Sequence, residues 1–205
     1  MTDTTLDLRE RRRLATRAEI EDVALDLFEK QGCEGTTVDD IAAAAGVSPR
    51  TFFRYFATKE DAALGANRSF DAALAARLEA IAPGRRDLRH LEDAVADTLQ
   101  QLALDDPTSS ARMLRVRCLV GQDAALRGAC LRMDAEHTRA FLDRVAAVTG
   151  APAVDLRTRV VAQALSAGLQ AALDEWATRR EAGEVTDLVA TYRATCALLR
   201  SVVAG

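Results

Sequence analysis

Seven consecutive residues, Arg50-Thr51-Phe52-Phe53-Arg54-Tyr55-Phe56, set two guanidiniums, a hydroxyl and a phenol among three phenylalanines. Coiled as a helix, the segment carries Phe52 and Phe56 four apart on one face. Burying that pair turns Arg50, Thr51, Phe53, Arg54 and Tyr55 to the other side. A short helix that offers guanidinium, hydroxyl and aromatic groups suits a DNA major groove. On these residues alone, a protein groove or an ordinary exposed helix remains an alternative.

The surrounding elements must hold that helix in place. Thr37 is an N-cap with Asp40 three residues on, starting a helix over Val38–Ala45. Gly46 breaks it, and Ser48-Pro49 restarts the chain as N-cap plus a proline at the first helical position. Two short helices with a glycine in the turn between them read as a helix-turn-helix. Upstream, Ile20, Val23, Ala24, Leu27 and Phe28 recur at helical spacing, with a C-terminal cap at Gly32. Thr58 caps a further helix that reads through to about Ala82.

Beyond it the helices lengthen, over Asp87–Ala103, Ser110–Val120, Ala124–Val148, Asp155–Glu181 and Thr186–Val203. Pro83-Gly84, Asp105-Asp106-Pro107, Gly150-Ala151-Pro152 and Gly183 separate them. Nothing alternates with period two for more than a few residues. The fold class is therefore all-α with about nine helices. A natural boundary near residue 60 separates the short, tightly capped helices of 1–60 from the long Ala/Leu/Val-rich helices of 61–205.

Composition agrees with that class. Of 205 residues, 49% are hydrophobic and only 4% aromatic, with four prolines, which favours helices over sheets. A net charge of −4 argues weakly against a nucleic-acid partner, but its distribution matters more than its sum. Residues 41–59 carry Arg50, Arg54 and Lys59 and no acid, and residues 9–17 carry five arginines against Glu10 alone. Exposed charges act over about 10 Å at 0.1 M salt, so a basic face coexists with an acidic back. The Arg-rich run, with Arg11, Arg12 and Arg13 at its centre, has two readings. It is a solvated, partly disordered arm, or an arm that tracks phosphates or the minor groove.

Other function classes find little support. Cys33, Cys118, Cys130 and Cys196 form no CxxC pair and read as reduced thiols. No stretch approaches the roughly 18 apolar residues of a membrane span, and the N-terminus lacks a signal-peptide core. A cytoplasmic protein without membrane contact is expected. Asp39-Asp40 and Asp105-Asp106 lack the flanking acids of a metal-binding run, neither histidine has a second histidine three or four residues on, and no phosphate-binding glycine motif is present. Neither an enzyme nor a resident cofactor or metal is expected.

Over about residues 14–65 the chain resembles the tetracycline-repressor (TetR) family of bacterial transcriptional regulators. TTVDDIAAAAGVS and PRTFFRYFATKEDAAL carry the resemblance, through Gly46-Val47-Ser48, Thr51, Tyr55-Phe56 and Lys59. It implies a three-helix DNA-binding module with its N-terminal arm over 1–60, an all-α ligand-binding and dimerisation domain over 61–205, a homodimer on double-stranded operator DNA, and usually a repressor released by a small-molecule effector. By the same resemblance Thr51, Tyr55 and Lys59 would bond phosphates, and Ser48 belongs to the same DNA-binding set. Thr37 would cap its helix and reach a phosphate, and Arg50 and Arg54 are the candidates for base reading. Two positions depart from the pattern. Phe53 stands where a tyrosine is frequent, so it would pack on sugar or a thymine methyl, and Cys33 stands where an aromatic is common.

The region from about Arg112 to Leu199 is similar to the C-terminal domain of actinobacterial members, including regulators of the mycofactocin gene cluster. In the last two helices, Leu165, Gly168, Leu169 and Trp176 recur at helical spacing, as do Tyr192, Cys196 and Leu199, which makes them dimer candidates. Effector-pocket candidates are Arg117, Met133, His137, Phe141 and Gln163, with Gln170 a weaker one. For His137 a satisfied core histidine is the alternative, for Arg117 a guanidinium snorkelling to water, and for Trp176 a pocket wall. So few polar groups on these faces point to an apolar or amphipathic effector.

Overall fold

The computed structural model describes residues 8–80, 88–105, 108–149 and 154–204, all of their regular structure helical. Ten helices follow in order: α1 Leu8–Gln31, α2 Val38–Ala44, α3 Pro49–Tyr55, α4 Lys59–Ala63, α5 Gly65–Glu79, α6 Leu88–Asp105, α7 Ser109–Gln122, α8 Ala124–Thr149, α9 Leu156–Glu181 and α10 Leu188–Ala204. Two compact units divide the chain. One holds Met1–Gly65 and Leu119–Cys130, the other Ala66–Cys118 and Leu131–Gly205. The first therefore includes a segment, Leu119–Cys130, that a boundary at residue 60 assigns to the second. The breaks read at Pro83-Gly84, Asp106-Pro107 and Gly150–Pro152 lie outside the described residues.

The tenth helix arises where one was expected. The helix capped by Thr58 stops at Leu64, whose φ of −86° and ψ of 14° leave the helical well. Leu64 is buried, and a Cβ on the next residue, Gly65, would run into the Glu21 carboxylate of α1. Only glycine lets that carboxylate, itself bonded by Arg17 Nε at 3.0 Å, approach so closely.

In the first unit α1 buries Ile20, Glu21, Ala24, Leu25 and Phe28. The stripe is rotated slightly from the expected one, with Val23 and Leu27 at its half-buried margins and Leu25 inside. Ile41 and Ala42 of α2, Phe52 of α3 and Phe56 complete the core. Gly46 adopts φ 65°, and the turn closes as Val47 N–H donates to Ala42 O at 2.9 Å. An L side chain at that φ costs energy, hence the glycine.

The second unit is built on α6, α9 and α10, with α5 and α8 against them. Leu91, Val95 and Leu99 of α6 meet Leu165, Leu173 and Trp176 of α9 and Tyr192 and Cys196 of α10. Glu92, nearly buried on α6, pairs with Arg200 of α10, the kind of partner a carboxylate away from water requires.

Candidate nucleic-acid interface and cavity

Local chemistry explains the geometry of α3. Ser48 caps it, its Oγ accepting from Thr51 N–H at 3.1 Å and sharing a 2.9 Å hydrogen bond with Thr51 Oγ1. Phe52 and Phe56 are buried with their rings 5.6 Å apart, so the helix is anchored along one side. Arg50, Phe53 and Arg54 stand exposed on the other, with Thr51 and Tyr55 at its edges. Phe53 is 57% exposed and edge-on to Phe52, a large apolar ring that the monomer leaves in water. The Arg54 guanidinium lies 5.1 Å from the Tyr55 ring centroid, and its Nη2 donates to Tyr55 Oη at 3.4 Å. That stacking pre-orders a long side chain that would otherwise lose rotamer freedom on docking.

The arginine-rich run is helical, which corrects the reading of a partly disordered arm for residues 8–17. Arg11 and Arg12 are exposed. Arg13 Nε donates to Glu10 Oε2 at 2.8 Å, and that bonded ion pair raises the arginine above its ordinary pKa. Arg17 sits 5.3 Å over the Phe56 ring. These contacts place the basic turns of α1 beside the C-terminal end of α3.

Two expected phosphate ligands are otherwise engaged. Thr37 closes a capping box with Asp40, accepting from Asp40 N–H at 3.1 Å while its own hydroxyl donates to Asp40 Oδ2 at 2.7 Å. Those bonds hold the Asp40 carboxyl below its usual range. Lys59 is held within the module as well. Its Nζ donates to Cys33 O at 2.5 Å and to Thr36 O at 2.7 Å, so the ammonium fastens the α1–α2 turn to the start of α4. Around that turn, Cys33 N–H donates to Asp123 Oδ2 at 3.0 Å, and Cys33 Sγ donates to Glu60 Oε1 at 3.5 Å. Burial and the adjacent Glu60 push the Cys33 thiol up to about 12, so it is no thiolate at neutral pH. Asp123 also caps α8, its Oδ1 accepting from Ala125 and Leu126 N–H. Sequence spacing gives no sign of this knot, because Asp123 lies 90 residues from Cys33.

The second unit contains a partly open cavity of about 350 Å³. Among the expected effector residues, Arg117, Phe141 and Gln163 line it. Met133 is buried but does not line it, and the side chain of His137 lies outside the described residues. The wall also takes Phe70, Asp71 and Leu74 of α5, Thr138 and Ser166, none of which the sequence reading singled out, and Gln170. An acid inside the apolar spacing of Phe70 and Leu74 was the available signal for Asp71.

Most of the expected dimer residues are corrected by their burial within one chain. Leu165, Gly168, Trp176, Tyr192 and Cys196 belong to the protomer's own interior. Trp176 is 3% exposed and its Nε1 donates to Thr186 O at 3.3 Å. Leu169 is a wall of the cavity, and Leu199 is half-buried. The pattern of α9 and α10 had the right period but belongs to packing inside one copy.

Comparison with known proteins agrees with this architecture. The family described as bacterial regulatory proteins, tetR family, matches residues 20–63, which span the second half of α1 and all of α2, α3 and α4. The chain is 34% identical over 187 residues to the HTH-type transcriptional regulator TcmR of Streptomyces glaucescens, covering 89% of this chain and 80% of that protein. It is 30% identical over 166 residues to the putative mycofactocin biosynthesis transcriptional regulator MftR of Mycobacterium tuberculosis, covering 81% and 82%. Among solved structures, the transcriptional regulator FadR from Bacillus subtilis in complex with stearoyl-CoA superposes with a TM-score of 0.57 at 19% identity, over 89% of this chain and 96% of that one. All of these relatives are regulators rather than enzymes. With two relatives at 30% identity or more across four-fifths of its length, this chain belongs to the tetR family of bacterial regulatory proteins.

Proposed function

We propose that this transcriptional regulator is a repressor that binds a palindromic operator as a homodimer and leaves it when a small, largely apolar or amphipathic effector enters the cavity of the second unit. The observation that carries the reading is α3 itself, a capped helix anchored by Phe52 and Phe56 with Arg50, Phe53 and Arg54 turned to solvent. Arg50 and Arg54 read bases, Thr51, Tyr55 and Ser48 bond the backbone, and Phe53 packs on a sugar or a thymine methyl. Arg11, Arg12 and Arg13 extend the phosphate contacts along α1. Thr37 and Lys59 act as positioning residues for the module.

Dimerisation rests on α9 and α10, through their outward faces. Ala190, Ala194, Ala197, Leu198, Ser201 and Val202 are all exposed at helical spacing on α10, as are Leu156 and Val160 on α9. A small-residue and apolar ridge of this kind fits against its own copy about a two-fold axis. The effector reading rests on the cavity, whose volume lies at the small-ligand end of the usual range of about 300–1,000 Å³. FadR from Bacillus subtilis, of the same fold, was solved with stearoyl-CoA, an amphipath.

The test is footprinting and anisotropy on the DNA upstream of the protein's own gene. A two-fold symmetric footprint, with half-sites about one helical turn or more apart, is expected. Binding no tighter than to random duplex at low salt would end this reading.

A further inference from the structure

The polar end of the cavity has a charge the rest of it does not explain. Arg117, on α7, is the one cation among the described residues that line this space. Its side chain is only 14% exposed, so most of its hydration has been given up. A guanidinium removed from water needs compensation close to it. What it has is thin. Nη2 donates to Gln170 Oε1 at 2.7 Å, a neutral acceptor, and Nη1 stands 3.5 Å from Asp174 Oδ1. The Asp174 carboxylate is 71% exposed, so water screens it and the pair is weak. A guanidinium carries five donors in a planar fork, and these contacts occupy only part of it.

The other charged group of the wall is Asp71, on α5. It also borders a small adjoining cavity, with Leu74, Phe141 and Arg144, which neither Arg117 nor Gln170 lines. Asp71 thus borders a part of the wall that Arg117 and Gln170 do not reach.

The geometry points to an effector that carries a carboxylate on an apolar skeleton, with the carboxylate on the Arg117–Gln170 end and the skeleton along Leu99, Met113 and Phe141. This rests on the reading of the cavity as the effector site. A carboxylate would engage the open part of the fork through paired N–H···O bonds, stronger than the bond to a neutral amide. It would also replace the solvent-screened Asp174 as counter-charge. Gln170, already bonded to the guanidinium, holds the fork in register for the incoming anion.

The experiment is calorimetric titration of the full-length protein with decanoate, decanol and decylamine, each below its micelle concentration. These probes share a chain and differ in head group. Decanoate is expected to bind about tenfold more tightly than decanol, the difference between a paired ion–ion contact and a single bond from the guanidinium to a neutral hydroxyl, and decylamine more weakly than either. In Arg117→Gln the preference for acid over alcohol should vanish while decanol affinity stays the same. Asp174→Asn, at an exposed position that does not endanger folding, should strengthen decanoate binding and leave decanol unchanged.

Equal binding of acid and alcohol, tightest binding of the amine, or a preference that survives Arg117→Gln would overturn the assignment while leaving the effector cavity in place. If none of the three probes bound, both the assignment and the reading of this cavity as the effector site would fall. Should Arg117→Gln prove unfolded by circular dichroism, the Asp174→Asn result decides, and an unchanged acid preference there counts against the proposal.

Discussion

Phe52 is fully buried in the first unit while Arg54, two residues on, lies against the Tyr55 ring with its guanidinium in solvent. Their substitutions should therefore separate cleanly. Phe52→Ala should cost about 3–5 kcal/mol of stability, read from urea melts, because an aromatic cavity opens in the core. Arg54→Ala should leave stability within about 0.5 kcal/mol, yet lose about 1–3 kcal/mol of discrimination at one operator base pair. Equal loss on operator and random duplex would remove Arg54 from the base-reading role. Lys59 calls for the opposite pattern. Lys59→Met deletes two charge-assisted bonds to carbonyls, so stability should drop by about 1.5–3 kcal/mol. The salt dependence of DNA binding should keep its slope, whereas loss of a phosphate contact would lower it by about 0.9.

Short helices need their ends satisfied, and here the ends are where the elements are joined. α2, α3 and α4 have seven, seven and five residues, too short to persist without packing, and each has a hydroxyl cap. Asp123 does the same for α8 and holds the α1–α2 turn as well. Burial works to raise its carboxyl, but N–H donors from Leu126, Cys33 and Ala125, with Lys59 nearby, outweigh it and hold the pKa below the ordinary value. A carboxyl depressed in the folded state stabilises above its unfolded pKa, near 3.8, and that contribution is lost as pH falls through the lower folded value. Asp123→Asn keeps one acceptor oxygen where the wild type uses two. It should cost about 1–2 kcal/mol at neutral pH, and the gap to wild type should close in melts run well below pH 3.8. A gap independent of pH would mean the charge at Asp123 contributes nothing.

At the scale of the whole molecule, the exposed ridge of α10 is the feature a single copy leaves unused. Leu198→Glu puts a charge in its middle, at a position 64% exposed in the monomer, so folding should survive. Sedimentation should show a dimer turned to monomer, and operator affinity should fall because two half-sites are no longer read together. A dimer that persisted would move the interface to another surface. The outcome also bears on the corrected residues: Trp176→Ala should destabilise the protomer itself by about 3–5 kcal/mol, whatever the state of association.

Neighbouring residues alone determined most of the helices, though not the break at Leu64–Gly65 that answers to Glu21, and with them the turn at Gly46, the caps at Thr37, Ser48 and Thr58, and the outward set Arg50, Phe53 and Arg54. These depend on periodicity and on hydrogen bonds three or four residues long, which a short window contains. Helical spacing also marked α9 and α10 as two-sided, but period says only that a face is buried, not against what. The tertiary structure decided that Trp176 and Tyr192 pack inside one copy, that Lys59 ends on the carbonyls of Cys33 and Thr36, and that Asp123 meets Cys33. It also placed Asp71 and Arg117 in the wall of one cavity. Each of those depends on groups brought together from distant parts of the chain, where the energy lies in desolvation and in partners that no local pattern records.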